Sequence, residues 1–144
     1  MTQNKKTPML LSWHQEFEQD KEIIDEQHRA ILASINSIYY LSIKGEESNL
    51  IKHLMMLYSQ LQLHFKTELL ILRQHEAPQV AAYEQHAEAL LNSLLDICDV
   101  KNLDHQTQTL FEQFKSWWQE HLELHQHITP YLFKWDGEFC RVVA

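Results

Sequence analysis

The chain is poor in the residues that build tight turns, with 2 Gly and 3 Pro among 144 residues. An all-β domain of this length needs many such turns, so all-β architecture is excluded. Cysteine is scarce too: Cys98 and Cys140 are too few for a disulfide framework and lack the C-x-x-C spacing of a thiolate metal site. Both are read as reduced thiols, Cys98 as a buried structural one. Positive charge is in deficit, with 12 Lys and Arg against 20 Asp and Glu, and the net charge of -8 repels phosphate backbones and anionic lipid. Nucleic acid and membrane surfaces are not expected as partners. No apolar run approaches membrane-spanning length, and the early Met9-Leu10-Leu11 run is too short for a secretory core, so a cytoplasmic, monomeric chain is expected.

Histidine is abundant instead: 10 copies, twice the Gly and Pro together. Their placement follows from four helical stripes. The first runs from Asp20 to about Ile43 through Ile24, Ile31, Ile35, Ile38 and Tyr39, with His28 on the stripe; Gly45 suits the left-handed residue after its end. The second passes through Leu54, Leu57, Leu61, His64, Glu68 and Ile71 or Leu72 and ends before Pro78. The third, from about Pro78 to Val100, turns Val80, Tyr83, Leu90, Leu94 and Ile97 inward, with Pro78 in its first turn. The fourth carries Leu110, Phe114, Trp117, His121, Leu124 and Ile128, and Pro130 closes it.

Short links make consecutive helices antiparallel neighbours, which predicts an all-α, up-down-up-down four-helix bundle. A single domain is expected over residues 1–144, with a helical core of about 20–129, an extended N-terminal arm and a short C-terminal tail from Tyr131. Trp13, Phe17, Trp135 and Phe139 are candidate anchors for the arm and tail.

In this topology His28, His64, Glu68, His86 and His121 fall in one layer, roughly 10–16 Å from one end of the bundle. A lone histidine on an apolar face is usually a core residue with one hydrogen bond. Four with a carboxylate would leave many polar atoms unpaired in an apolar core, and a metal ion is the common compensation. The pairs His64/Glu68 and His121/His125, each four residues apart, can present two donors from one helix face. Imidazole with carboxylate suits Fe, Zn or Mn, and the lack of thiolate argues against a closed structural zinc site. The Glu-x-x-His pairs of ferritin-like sites, the H-E-x-x-H of zinc peptidases, a phosphate loop and a nucleophile elbow are all absent. Hydrolase and nucleotide chemistry are excluded, and the chain is not expected to be an enzyme.

The segments SWHQEF with Trp13, DEQHRAIL around His28, HFKTE from His64 to Glu68, YEQHAEALL around His86 and FKSWWQEHLELHQHITPYL around His121 resemble the bacteriohemerythrins, the bacterial branch of the hemerythrin-like oxygen-binding proteins. The resemblance covers most of the chain. It implies a four-helix bundle with a non-haem di-iron centre that binds O2 reversibly. By that likeness His28 and His64 match the ligands of one iron, Glu68 matches the bridging glutamate, and His86 and His121 match two of three histidines on the second iron. The family's remaining histidine falls on Ala82, or with a one-residue slip on Tyr83, and its bridging aspartate falls on Gln126. Two of seven ligands are thus unmatched, with Tyr83, His125 and Gln126 as candidate substitutes.

The expected metal residues are His28, His64, Glu68, His86 and His121. The expected cofactor is non-haem iron, two ions, with one ion or another metal as the alternative. The expected function is storage, delivery or sensing of O2 or another diatomic ligand. An altered mono- or di-metal centre in redox, O2 or NO sensing or weak oxidase chemistry is the first alternative, and a metal-free helical interaction module the second. Ile24, Ile31, Leu61, Trp117 and Trp118 are candidate pocket walls. His14, His53, His75, His105 and His127 have no partner spacing and are read as solvated.

Overall fold

Each apolar stripe closes into a helix in the computed structural model, which describes residues 9–19, 21–46, 49–98 and 107–133. The helices are α1 (Glu22–Ile43), α2 (Leu50–Gln74), α3 (Val80–Cys98) and α4 (Thr107–Phe133). They pack as an all-α four-helix bundle: α1 lies on α2, α2 on α3 and α3 on α4, and α4 closes against α1. The α2–α4 diagonal is also in contact, so these two helices approach each other across the core. No described helix is long and apolar enough to cross a membrane.

The bundle is held by the inward stripes. Ile31, Ile35, Leu54, Leu57, Leu61, Leu90, Leu94, Leu110 and Phe114 are all essentially inaccessible, and each such side chain contributes about 1.5–3 kcal/mol on burial. Cys98 is a half-buried thiol packed against this core. The helix ends use backbone chirality where side-chain caps are missing. After α1, Gly45 adopts φ +72° and the Glu46 N–H bonds to the Leu41 carbonyl, as in a Schellman motif. After α2 the same role falls to Glu76, at φ +50°, and the Ala77 N–H bonds to the Leu72 carbonyl at 2.9 Å. Sequence reasoning found the first of these turns through its glycine and had no such signal for the second.

Two boundaries differ from expectation. Pro78 stands in the turn before α3 rather than in its first turn. Pro130 does not close the fourth helix, which continues to Phe133 with the proline inside it. The missing N–H is tolerated because Pro130 is exposed, while Ile128 and Leu132, one turn apart, are both fully buried and keep the chain helical across it. The arm is not uniformly extended: Gln15–Phe17 forms a turn of 3-10 helix. Trp13 and Phe17 anchor it on the core, Phe17 edge-on to Trp118 at 5.5 Å. Trp135, Phe139, Cys140, His105 and the third interhelical link lie outside the described residues.

Candidate metal centre

Facing residues of three helices meet in one buried layer. α1 supplies His28, α2 supplies His64 and Glu68, and α4 supplies His121 and His125. One donor atom from each lies within 4.8 Å of every other. All five side chains are buried, at 0–1% exposure. The i, i+4 spacing of the two pairs places both members on one helix face, and the close α2–α4 diagonal lets these pairs face each other.

The candidate donor atoms crowd into one small volume. The Nε2 atoms of His28, His64 and His121 form a triangle with sides of 3.0, 3.0 and 3.1 Å. An octahedral cation with bonds of about 2.1 Å has cis edges of about 3.0 Å, so the triangle matches one face of such a polyhedron. Glu68 Oε1 lies 2.6 Å from His64 Nε2 and 3.2 Å from His121 Nε2. Glu68 Oε2 lies 2.7 Å from His125 Nε2, yet neither atom has a hydrogen bond of acceptable geometry.

The tautomer of His64 follows from its outer neighbours. Thr67 Oγ1 donates to the Leu63 carbonyl, and Gln27 Nε2 donates to Thr67 Oγ1 at 3.2 Å, which leaves Gln27 Oε1 as an acceptor. His64 Nδ1 therefore donates to Gln27 Oε1, at 2.9 Å. In the neutral ring His64 Nε2 then carries a lone pair, aimed at a carboxylate oxygen and two further ring nitrogens. A ring lone pair facing a carboxylate oxygen at 2.6 Å is relieved by a shared cation, and an outer hydrogen bond of this kind is what orients a metal-binding imidazole. The donor set fits a metal ion.

Electrostatics agree. Burial alone would raise the Glu68 pKa, but the adjacent imidazoles of His125, His64 and His121 hold it well below the usual carboxylate range. His28 is pushed well down by burial and by the neighbouring imidazoles His64, His125 and His121. Burial also pushes His121 well down, against the opposing pull of Glu68. An anionic carboxylate beside the His28 and His121 rings, whose protonation burial disfavours, suits the binding of a cation.

The structure brings together four of the five residues expected from sequence: His28, His64, Glu68 and His121. His86 sits beside them. Its Nε2 is 3.1 Å from His121 Nδ1, its ring stacks on Trp117 and His121, and its Nδ1 is turned toward Glu120 Oε2 at 3.7 Å. Burial lowers its pKa to about 4. The fifth member of the cluster is His125, expected only as a candidate substitute; its spacing from His121 was the available signal. Tyr83 is fully buried and donates its O–H to Glu68 Oε1 at 2.6 Å. Burial first, and then the Glu68 carboxylate, push its phenol pKa well up, so its proton is held. Ala82 and Gln126 are exposed and do not reach the cluster. The inward register of α3 and α4 runs through Tyr83 and His125, so the two positions read as vacant ligand sites are outward-facing. Gln27 was missed altogether, because an amide beside a histidine has no sequence signature of an outer partner.

The residues expected as pocket walls belong to the buried core around the cluster. Ile24, Ile31, Leu61, Trp117 and Trp118 are buried, and Trp118 lies edge-on to His28 at 5.3 Å. Of the remaining histidines, His14 and His127 are exposed, whereas His53 and His75 are half-buried. No family model, no curated protein and no solved structure matches the chain.

Proposed function

We propose that this protein is a hemerythrin-like, non-haem iron protein that binds O2 or a related diatomic ligand reversibly, for storage, delivery or sensing rather than turnover. The observation that carries this reading is the cluster of four histidines and one glutamate, buried in a four-helix bundle with donor atoms within 4.8 Å of one another. Ferrous iron, when bound, would supply the electrons for O2 binding. The chain's own share is separate. His28, His64, His121 and His125 would hold the ion as neutral donors and Glu68 as an anion. Gln27 fixes the ring of His64, Tyr83 anchors Glu68, and the surrounding indoles and isoleucines keep bulk water away from the centre.

A second reading, an altered centre with a single ion, has its own support. The five donors span about the width of one coordination sphere, and Glu68 is the only carboxylate among them. Two ferrous ions would bring four positive charges into a low-dielectric site with one negative side chain to offset them.

Metal analysis of tag-free protein after anaerobic iron loading, with optical spectra through cycles of air and argon, tests both readings. Bound iron with a spectral change that reverses under argon is expected. One iron per chain selects the single-ion centre and two select the di-iron centre. Absence of bound metal after loading would leave the fold as a metal-free helical module.

A further inference from the structure

The donor cluster is sealed, so any ion that reaches it must pass through a gap in the packing. Four grooves on the described surface are candidate routes. One, bordered by Met9, Ala33 and Tyr40, is apolar and remote from the cluster. A second, between α2 and α3, contains no cluster residue. A third, between α3 and α4, is acidic but ends on His86, which is wedged against Trp117 and His121. The fourth, about 400 Å³, lies between the arm and α4 and is lined by His125 itself.

We infer that this fourth groove is the uptake route for a divalent cation, with Glu16 and Gln126 at its rim, His125 at its base and Gln19 as the side chain that closes it. The inference rests on the metal-centre reading above. Oxygen donors and an imidazole suit a partly hydrated divalent ion, and the acidic chain attracts cations. His125 belongs to both places at once: it lines the groove, and its Nε2 is 2.7 Å from Glu68 Oε2. Its Nδ1 is buried without a hydrogen-bond partner.

Gln19 spans the groove from the arm. Its backbone N–H donates to Asp25 Oδ1 at 2.7 Å, its Nε2 donates to the Phe17 carbonyl at 3.1 Å, and its Oε1 accepts from Thr129 Oγ1 at 2.7 Å. Thr129 Oγ1 also lies within reach of the His125 carbonyl. Its single proton can turn to that carbonyl when Gln19 swings away, so opening the groove leaves no orphaned hydroxyl. Only the Thr129 bond crosses from the arm to α4, the Gln19 Nε2 bond to the Phe17 carbonyl lying within the arm, so the closure across the groove rests on one replaceable hydrogen bond and can open to admit an ion.

Anaerobic stopped-flow uptake of Co²⁺ by the full metal-free chain, and its release to excess chelator, test the route. Gln19→Ala, and independently Thr129→Val, should accelerate uptake and release alike by about 3- to 10-fold, with affinity nearly unchanged. Glu16→Gln should slow uptake. The double variant Glu120→Gln/Glu123→Gln, in the neighbouring groove, should load at the wild-type rate. Wild-type rates in the Gln19, Thr129 and Glu16 variants, or slowed uptake in the double variant, would overturn the route while leaving the metal centre intact. A wild-type chain that binds no Co²⁺ would remove both readings.

Discussion

A shift of one position on each of two helices decides which side chains meet Glu68. Tyr83 and His125 point inward, and their neighbours Ala82 and Gln126 face out. Installing the supposedly missing ligands, with Ala82→His and Gln126→Asp, should therefore leave the metal content per chain unchanged, whereas His125→Ala should lower it; elemental analysis of the loaded variants decides. Titration supplies a second prediction, for the metal-free chain. Burial holds His28 and His121 neutral and lowers His86 from 6.5 to about 4. In the unfolded chain these rings gain protons below about 6.5. The unfolded state thus binds more protons than the native state as pH falls from about 6.5 toward 4, and stability falls with it. Protonating Glu68, whose folded pKa is depressed, removes more stability at lower pH still. The urea midpoint should be clearly lower at pH 5 than at pH 7.5, and equal midpoints would contradict the assigned burial effects. The histidine layer was legible in the sequence because helical rise and periodicity place His28, His64, Glu68 and His121 together. Choosing between adjacent positions such as 125 and 126 was not, because a 100° step on a helix becomes meaningful only once neighbouring helices fix its rotation.

At the scale of the element, the two left-handed helix ends make a controlled pair. Gly45 has open space where a Cβ would sit, so Gly45→Ala carries a purely conformational cost of about 1 kcal/mol. Glu76 already bears that cost, and Glu76→Gly should recover a few tenths to about 1 kcal/mol after the greater chain entropy of glycine is deducted. Opposite shifts in chemical denaturation midpoints are expected. The four helices and their order could be read from periodicity, since each stripe carries enough large apolar side chains to override local exceptions. Pro130 shows the limit of that reading: a residue-level rule marked a stop, but burial of Leu132 one half-turn beyond it favoured continued helix.

For the whole molecule, the proposed centre couples cation concentration to folding. An ion that binds the native chain alone at about 100 times its dissociation constant adds about 2.7 kcal/mol, or roughly 9 °C in Tm for a domain of this size. Anaerobic thermal scans with and without Fe²⁺, reversed by chelator, should show that shift. A sequence layer of histidines suggests the coupling but not its connectivity, which depends on the close approach of α2 to α4. α3 contributes no donor to the cluster; it touches the centre only through Tyr83 and His86. A bound cation would act as a cross-link among α1, α2 and α4 and bypass α3. Hydrogen exchange on the loaded protein should then divide the bundle into a three-helix block of slow amides and a third helix that opens on its own. In mechanical terms, α3 is the hinged panel of a frame riveted on its other three sides.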